Sequence, residues 1–114
     1  MLRLVPYDEE LAERVRVAIH GIDRVGIVEE RKMFGGLAFL VHDHLTIAVS
    51  GQGGIMVRVD PDARAALLEQ DQVDPMVMSG RVMRGWLRVS SAGLTDDHVL
   101  CRWVERGVAA VEAL

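Results

Sequence analysis

Two adjacent glycines in a strand-forming stretch, Gly35 and Gly36, constrain this sequence more than any other feature. The stretch covers residues 31–49, and most of it is apolar and β-prone. Glycine has no side chain to pack and adopts positive φ angles at no steric cost, so within a strand it marks a bulge or a close approach of two backbones. The pattern predicts two strands, the first of which contains the glycine pair. Such residues shape a sheet and perform no chemistry.

A short polar interval divides this stretch and predicts a hairpin. His42, Asp43 and His44 separate two apolar runs. The two histidines would lie on the same side of an extended segment, a spacing that suits a metal, but the sequence supplies no third or fourth ligand. A solvated turn without a metal is therefore expected.

A glycine-rich segment, residues 50–54, follows as a flexible turn, and residues 55–59 alternate as a third strand. The segment lacks the Lys-Ser/Thr ending of a phosphate loop, and it precedes a strand where a dinucleotide fingerprint must open a helix. We therefore expect no nucleotide and no other cofactor.

Three helices are predicted from capping residues and apolar spacing. Asp8 can cap a first helix that ends near Gly21, an Asp-Pro-Asp start predicts a short helix over residues 63–70, and Thr95 with two aspartates opens the final helix. Gly107 lies within the apolar arc of that final helix. Because glycine in a helix costs about 0.5–1 kcal/mol relative to alanine, close packing against a sheet is the expected reason for its presence.

The remaining segments complete an α+β pattern. Residues 71–75 are expected to form a loop, residues 76–78 a brief strand, and residues 81–89 the last strand. One face of that strand carries Val82, Arg84, Trp86 and Arg88, and the other carries Met83, Leu87 and Val89. Consecutive strands with helices at both ends indicate a two-layer fold. We expect one domain, 1–114, with an antiparallel sheet of four to five strands, N- and C-terminal helices and a short middle helix.

Composition limits the classes of function. The chain has 13 Lys and Arg against 17 Asp and Glu, a net charge of −4, so nucleic acid or anionic lipid would need a local basic patch. The lone Cys101 cannot form an internal disulfide, and no apolar run approaches the ~20 residues of a membrane span. We also expect no signal peptide, no membrane partner and a cytoplasmic location.

Three blocks of the sequence resemble the N-terminal domain of the TfoX/Sxy family. They are residues 31–39 (RKMFGGLAF), 54–59 (GIMVRV) and 80–86 (GRVMRGW), and they keep the family's order and approximate spacing. The resemblance covers nearly the whole chain from Tyr7 onward. It implies a two-layer, secretion-chaperone-like α+β fold and, in the best-known members, a role in regulating natural competence. Those members carry a second, C-terminal domain.

The resemblance supplies shared positions but no catalytic residues to carry over. The shared glycines, to which we assign a structural role, are Gly35, Gly36, Gly80 and Gly85. The shared basic residues are Lys32, Arg58 and Arg81.

The candidate binding residues form a basic cluster around one tryptophan. They are Arg58, Arg81, Arg84, Trp86 and Arg88, with Arg31 and Lys32 as further candidates. Arginine and tryptophan are frequent hot spots of protein interfaces, and together they can also stack on bases or hold phosphates. The plain alternative is a half-solvated sheet face whose arginines pair with the many acids of the chain.

We therefore expect a non-enzymatic regulatory or interaction domain that acts through protein contacts in transcription-related control, with the transcription machinery as a candidate partner. Direct nucleic-acid binding is an alternative, although the acidic balance argues against it. A metal-dependent or small-molecule enzyme is another, but Cys101 and His98 lack a third group to orient the base. An open sheet edge would also favour a twofold dimer.

Overall fold

One antiparallel sheet and three helices make up the chain in a computed structural model that describes residues 5–114. The strands are β1 (Val28–Met33), β2 (Gly36–Val41), β3 (His44–Val49), β4 (Ile55–Arg58), β5 (Val73–Met78) and β6 (Arg81–Val89). The helices are α1 (Glu9–His20), α2 (Arg64–Leu67) and α3 (Asp97–Glu112), and short 3-10 turns lie at Asp23–Val25, Pro61–Ala63 and Ser91–Leu94. The strands follow the order β1-β2-β3-β4-β6-β5.

This architecture confirms the α+β prediction but has six strands instead of four to five. The sequence predicts that the glycine pair lies inside one strand. In the structure this stretch is instead divided into two strands at the glycine pair, which accounts for the additional strand. Phe34 and Gly35 form a two-residue turn with φ angles of 54° and 72°, the conformation that type I′ hairpins require at both central positions. The turn separates β1 from β2, and Gly36 is the first residue of β2.

The segments around β5 also differ from the sequence prediction. Residues 73–75 are not a loop, since Val73 and Pro75 are paired with Val89 and Leu87 of β6. Pro75 is tolerated there because β5 is an edge strand, where one missing N–H breaks no inner ladder. The middle helix is shorter than predicted: its α-helical part ends at Leu67.

The main core lies between one face of the sheet and the two long helices. Asp8 caps α1 by accepting a hydrogen bond from the Leu11 amide at 3.0 Å, and Asp96 caps α3 in the same way. Trp103 of α3 is 1% exposed in this core. The expected close packing at Gly107 is confirmed, because a methyl group there would lie 3.0 Å from the carbonyl oxygen of Thr46.

The opposite face of the sheet carries a second, smaller apolar cluster. Its buried members are Ala38, Leu40, Ala48, Met56 and Met76, and partly buried neighbours are Met33, Leu45, Met78, Met83 and Trp86. All of these residues come from strands. The described part of the chain places no helix on this face of the sheet. Methionine side chains cover it instead.

The position of Met83 corrects one expectation about β6. Met83 belongs to the second cluster, whereas Leu87 belongs to the main core, so the two residues do not share a face. The reason is a bulge: Pro75 is paired with Leu87, but Val77 is paired with Val82. The extra residues of β6 break the two-residue alternation that the prediction assumed.

Candidate interaction face

Arg58 and Trp86 are directly opposed across the β4–β6 pair. The guanidinium carbon of Arg58 lies 4.8 Å from the centroid of the Trp86 ring, a cation–π contact of about 0.5–2 kcal/mol depending on desolvation. The Nε of Arg58 also donates to the carbonyl oxygen of Leu45 at 2.8 Å. The guanidinium is therefore held in one orientation, with its Nη groups facing no hydrogen-bond acceptor among residues 5–114.

Arg88 lies on the same face, opposite Met56 of β4. Its Nη2 donates to the hydroxyl of Ser50 and to the carbonyl oxygen of Gly53, both at 3.3 Å. These contacts tie Arg88 to the glycine-rich turn, a connection that no local sequence pattern predicts. We call the surface formed by Arg58, Trp86 and Arg88 over Met56 the arginine–tryptophan face.

The carboxylates that form ion pairs within residues 5–114 pair with other arginines. Ion pairs within residues 5–114 join Arg14 to Asp97, Arg16 to Glu13 and Glu30, Arg24 to Glu105 and Glu112, and Arg31 to Glu29. None of the five candidate binding residues takes part. The described residues therefore do not show the alternative in which these arginines pair with the acids of the chain.

Arg58 is partly buried and forms no ion pair within residues 5–114, and this combination affects its charge. Partial removal from water lowers the pKa of Arg58 from its ordinary value, with no nearby carboxylate to oppose the shift. A cation that has lost part of its hydration without gaining a counter-ion favours an external anion.

A second arginine, in the C-terminal half of α3, has a similar environment. Arg106 stacks over Trp103 at 4.7 Å, and its pKa is lowered by burial and by the nearby charge of Arg102. Arg58 and Arg106 both line a cavity of about 410 Å³ where β4 ends, although Asp60 lines it too.

The other predicted binding residues do not join the arginine–tryptophan face. Arg81 is exposed near the tip of the β5–β6 hairpin and Arg84 is exposed within the bulge, and neither forms an ion pair with any residue from 5 to 114. Arg31 is paired with Glu29 on β1, which three strands separate from β6. Lys32 is exposed on that same edge strand.

The shared glycines occupy turns and close backbone contacts. Gly35 and Gly80 have φ angles of 72° and 76° in hairpin turns. A methyl group on Gly36 would lie 2.0 Å from the Val49 carbonyl oxygen, whereas one on Gly85 would meet nothing within 4 Å. Three of the four positions thus have a backbone reason for glycine.

The other chemical candidates remain isolated. His42 and Asp43 form a turn with φ angles of 51° and 65°. Among residues 5–114 no group of three or more His, Cys, Asp or Glu side chains is placed to hold a metal ion. Cys101 is exposed on α3. In the same range no helix is both long and apolar enough to cross a membrane.

The fold and this face define a two-layer α+β domain with a basic surface on the sheet side. The family model of the TfoX N-terminal domain matches residues 21–111, and the chain belongs to this family. Membership of this family supports a regulatory or competence-related domain. Comparisons with curated proteins and with solved structures gave no match.

Proposed function

We propose that this chain is a non-enzymatic regulatory domain that binds a protein partner through the arginine–tryptophan face and acts in transcription-related control. The observation that carries the proposal is the state of Arg58. It is partly desolvated, stacked on Trp86 and fixed by the Leu45 carbonyl, yet no carboxylate of residues 5–114 neutralises it.

The composition of the face supports a protein partner. Tryptophan and arginine dominate interface hot spots because they combine a large apolar contact with directed hydrogen bonds. The methionine side chains beneath them are flexible and polarisable, which allows a surface to adapt to a partner. Side chains held in place before binding lose less entropy when the complex forms.

Comparative affinity capture tests the proposal. The purified chain and its Arg58→Gln and Trp86→Ala variants are used to capture proteins from the native cell, with Arg24→Gln as a matched control. Arg24 is an exposed arginine on the helical side of the fold, where it pairs with Glu105 and Glu112 of α3. We expect a transcription component that wild type and control retain and that both face variants lose. Equal retention by all four proteins would contradict the proposal.

Direct nucleic-acid binding is tested in parallel by fluorescence anisotropy of labelled single- and double-stranded DNA at about 50 and 200 mM salt. Phosphate contacts release counter-ions, so true binding would weaken steeply between the two conditions. DNA binding that also depends on Arg58 or Arg84 would indicate that the partner is a nucleic acid and not a protein.

A further inference from the structure

The two arginines of the arginine–tryptophan face have a defined spacing. Arg58 is opposite Trp86, and Arg88 follows two residues further along β6. Diagonal neighbours of this kind on one face of an antiparallel pair lie about 7–8 Å apart. Both residues are half-buried, so their guanidinium groups cannot spread freely over the surface.

Each guanidinium keeps unused donors. A guanidinium has five N–H donors. Arg58 uses its Nε on Leu45, and Arg88 uses only its Nη2, on Ser50 and Gly53. Within the described residues, Arg58 thus retains both Nη groups as a pair that a carboxylate can accept in the bidentate manner, whereas Arg88 retains its Nε and Nη1 N–H groups as single donors to a carboxylate.

The surroundings favour a carboxylate over a nucleotide. Trp86 already carries Arg58 on its ring and packs against the methionine cluster, so the ring is not open as a stacking platform for a base. The floor between the arginines is Met56, an apolar residue that is 7% exposed. Within residues 5–114, Asp74 lies opposite Arg88 on β5 and Asp60 lines the same cavity as Arg58, but neither acid forms an ion pair with these arginines.

We propose that the arginine–tryptophan face binds an extended acidic segment of a protein partner, with two carboxylates two residues apart on Arg58 and Arg88. In an extended chain, residues i and i+2 point to the same side and lie about 6.5–7 Å apart, which matches the diagonal spacing of the arginines. The inference rests on the proposed function and specifies the chemistry of the partner at the same face.

Peptide titration followed by NMR tests this spacing. The ¹⁵N-labelled chain is titrated with threonine-rich octapeptides that carry two glutamates, either two residues apart or adjacent, and with a version in which both are glutamine. The readout is the indole N–H signal of Trp86, and the buried Trp103 serves as an internal reference. Trp86→Phe assigns the signal.

We expect the peptide with glutamates two residues apart to shift the Trp86 signal and leave Trp103 unchanged. Arg58→Gln and Arg88→Gln should each raise the dissociation constant about tenfold, because each removes one charge-assisted pair. Arg24→Gln should have no effect. The adjacent-glutamate and glutamine peptides should bind at least about tenfold more weakly, since at most one carboxylate then reaches an arginine.

The outcomes separate this inference from the proposed function. Equal binding of both acidic peptides, or no dependence on Arg88, overturns the two-point inference and leaves the face as a protein site. A partner that binds through the arginine–tryptophan face with a segment that has no acidic residues also overturns the two-point inference and leaves the face as a protein site. Tighter binding of an oligothymidylate, with a steep salt dependence and the same dependence on Arg58, overturns both.

Discussion

Replacing Gly107 by alanine should destabilise the protein, although helix propensity alone predicts the opposite. Gly107 lies within α3, where alanine is favoured over glycine by about 0.5–1 kcal/mol. A methyl group at this position, however, would lie 3.0 Å from the Thr46 carbonyl oxygen and 3.2 Å from methyl groups of Thr46 and Val57. The sign of the change depends on which neighbours can move.

The nearest neighbour is main chain in a central strand. Thr46 belongs to the inner strand β3, where it is the extra residue of a bulge; Leu45 and Ile47 on either side of it are both paired with β2, so its carbonyl group can shift only by disturbing those pairs. The helix must move instead, and overpacking of this kind costs about 1–3 kcal/mol. After the helix-propensity gain is subtracted, we expect Gly107→Ala to lower the free energy of unfolding by about 1 kcal/mol.

Urea denaturation followed by circular dichroism and by tryptophan fluorescence, to which the buried Trp103 contributes, measures this change. The matched control is Ala109→Gly in the same helix, an exposed position where only helix propensity changes, with an expected loss of about 1 kcal/mol. If both variants unfold at a lower urea concentration and the dependence of the unfolding free energy on urea is unchanged, close packing at Gly107 is supported. If Gly107→Ala raises the midpoint while the control lowers it, propensity governs and the reasoning is refuted.

Three further changes test other contacts. Gly36→Ala should cost about 3 kcal/mol or more, because its methyl group would lie 2.0 Å from the Val49 carbonyl oxygen; thermal melting checks this. Phe34→Asn should raise the unfolding free energy by about 0.5–1 kcal/mol in urea, since Phe34 is 62% exposed with a φ of 54°, which asparagine tolerates better. The hydrogen bonds from Arg16 lower the pKa of Glu30, so Glu30→Gln should cost about 0.5 kcal/mol near neutral pH. That difference is fully present above the unfolded pKa of glutamate, about 4.3, and should be lost as the pH falls below it and through the lower folded pKa of Glu30.

The features that the sequence predicts well depend on nearby residues. Asp8 and Asp96 each satisfy an amide within the first turn of their own helix, so α1 and α3 can be predicted from local spacing. The turn at Phe34 could not be predicted in the same way, because a bulky aromatic residue is disfavoured at positive φ. Its conformation is set by the pairing of β1 with β2 and by the close contact of Gly36 with β3.

The candidate face was only partly predictable for a similar reason. Placing Arg58 on Trp86 requires β4 to pair with β6, skipping β5, and no local pattern specifies that order. The alternation of β6 does place Trp86 and Arg88 together, because β6 is paired with β4 in regular register from Trp86 to Val89. It fails at Met83, where pairing with β5 inserts extra residues.

The two edges of the sheet bear on how a partner can bind. On β1 the middle of the strand consists of charged, exposed residues, and on β5 Pro75 removes an N–H next to a register shift. Both features oppose the addition of another strand. A dimer or a complex formed by edge pairing would have to overcome them, whereas the arginine–tryptophan face presents directed donors without such an obstacle. These features of the edges therefore favour recognition through side chains of the sheet face over recognition through strand pairing.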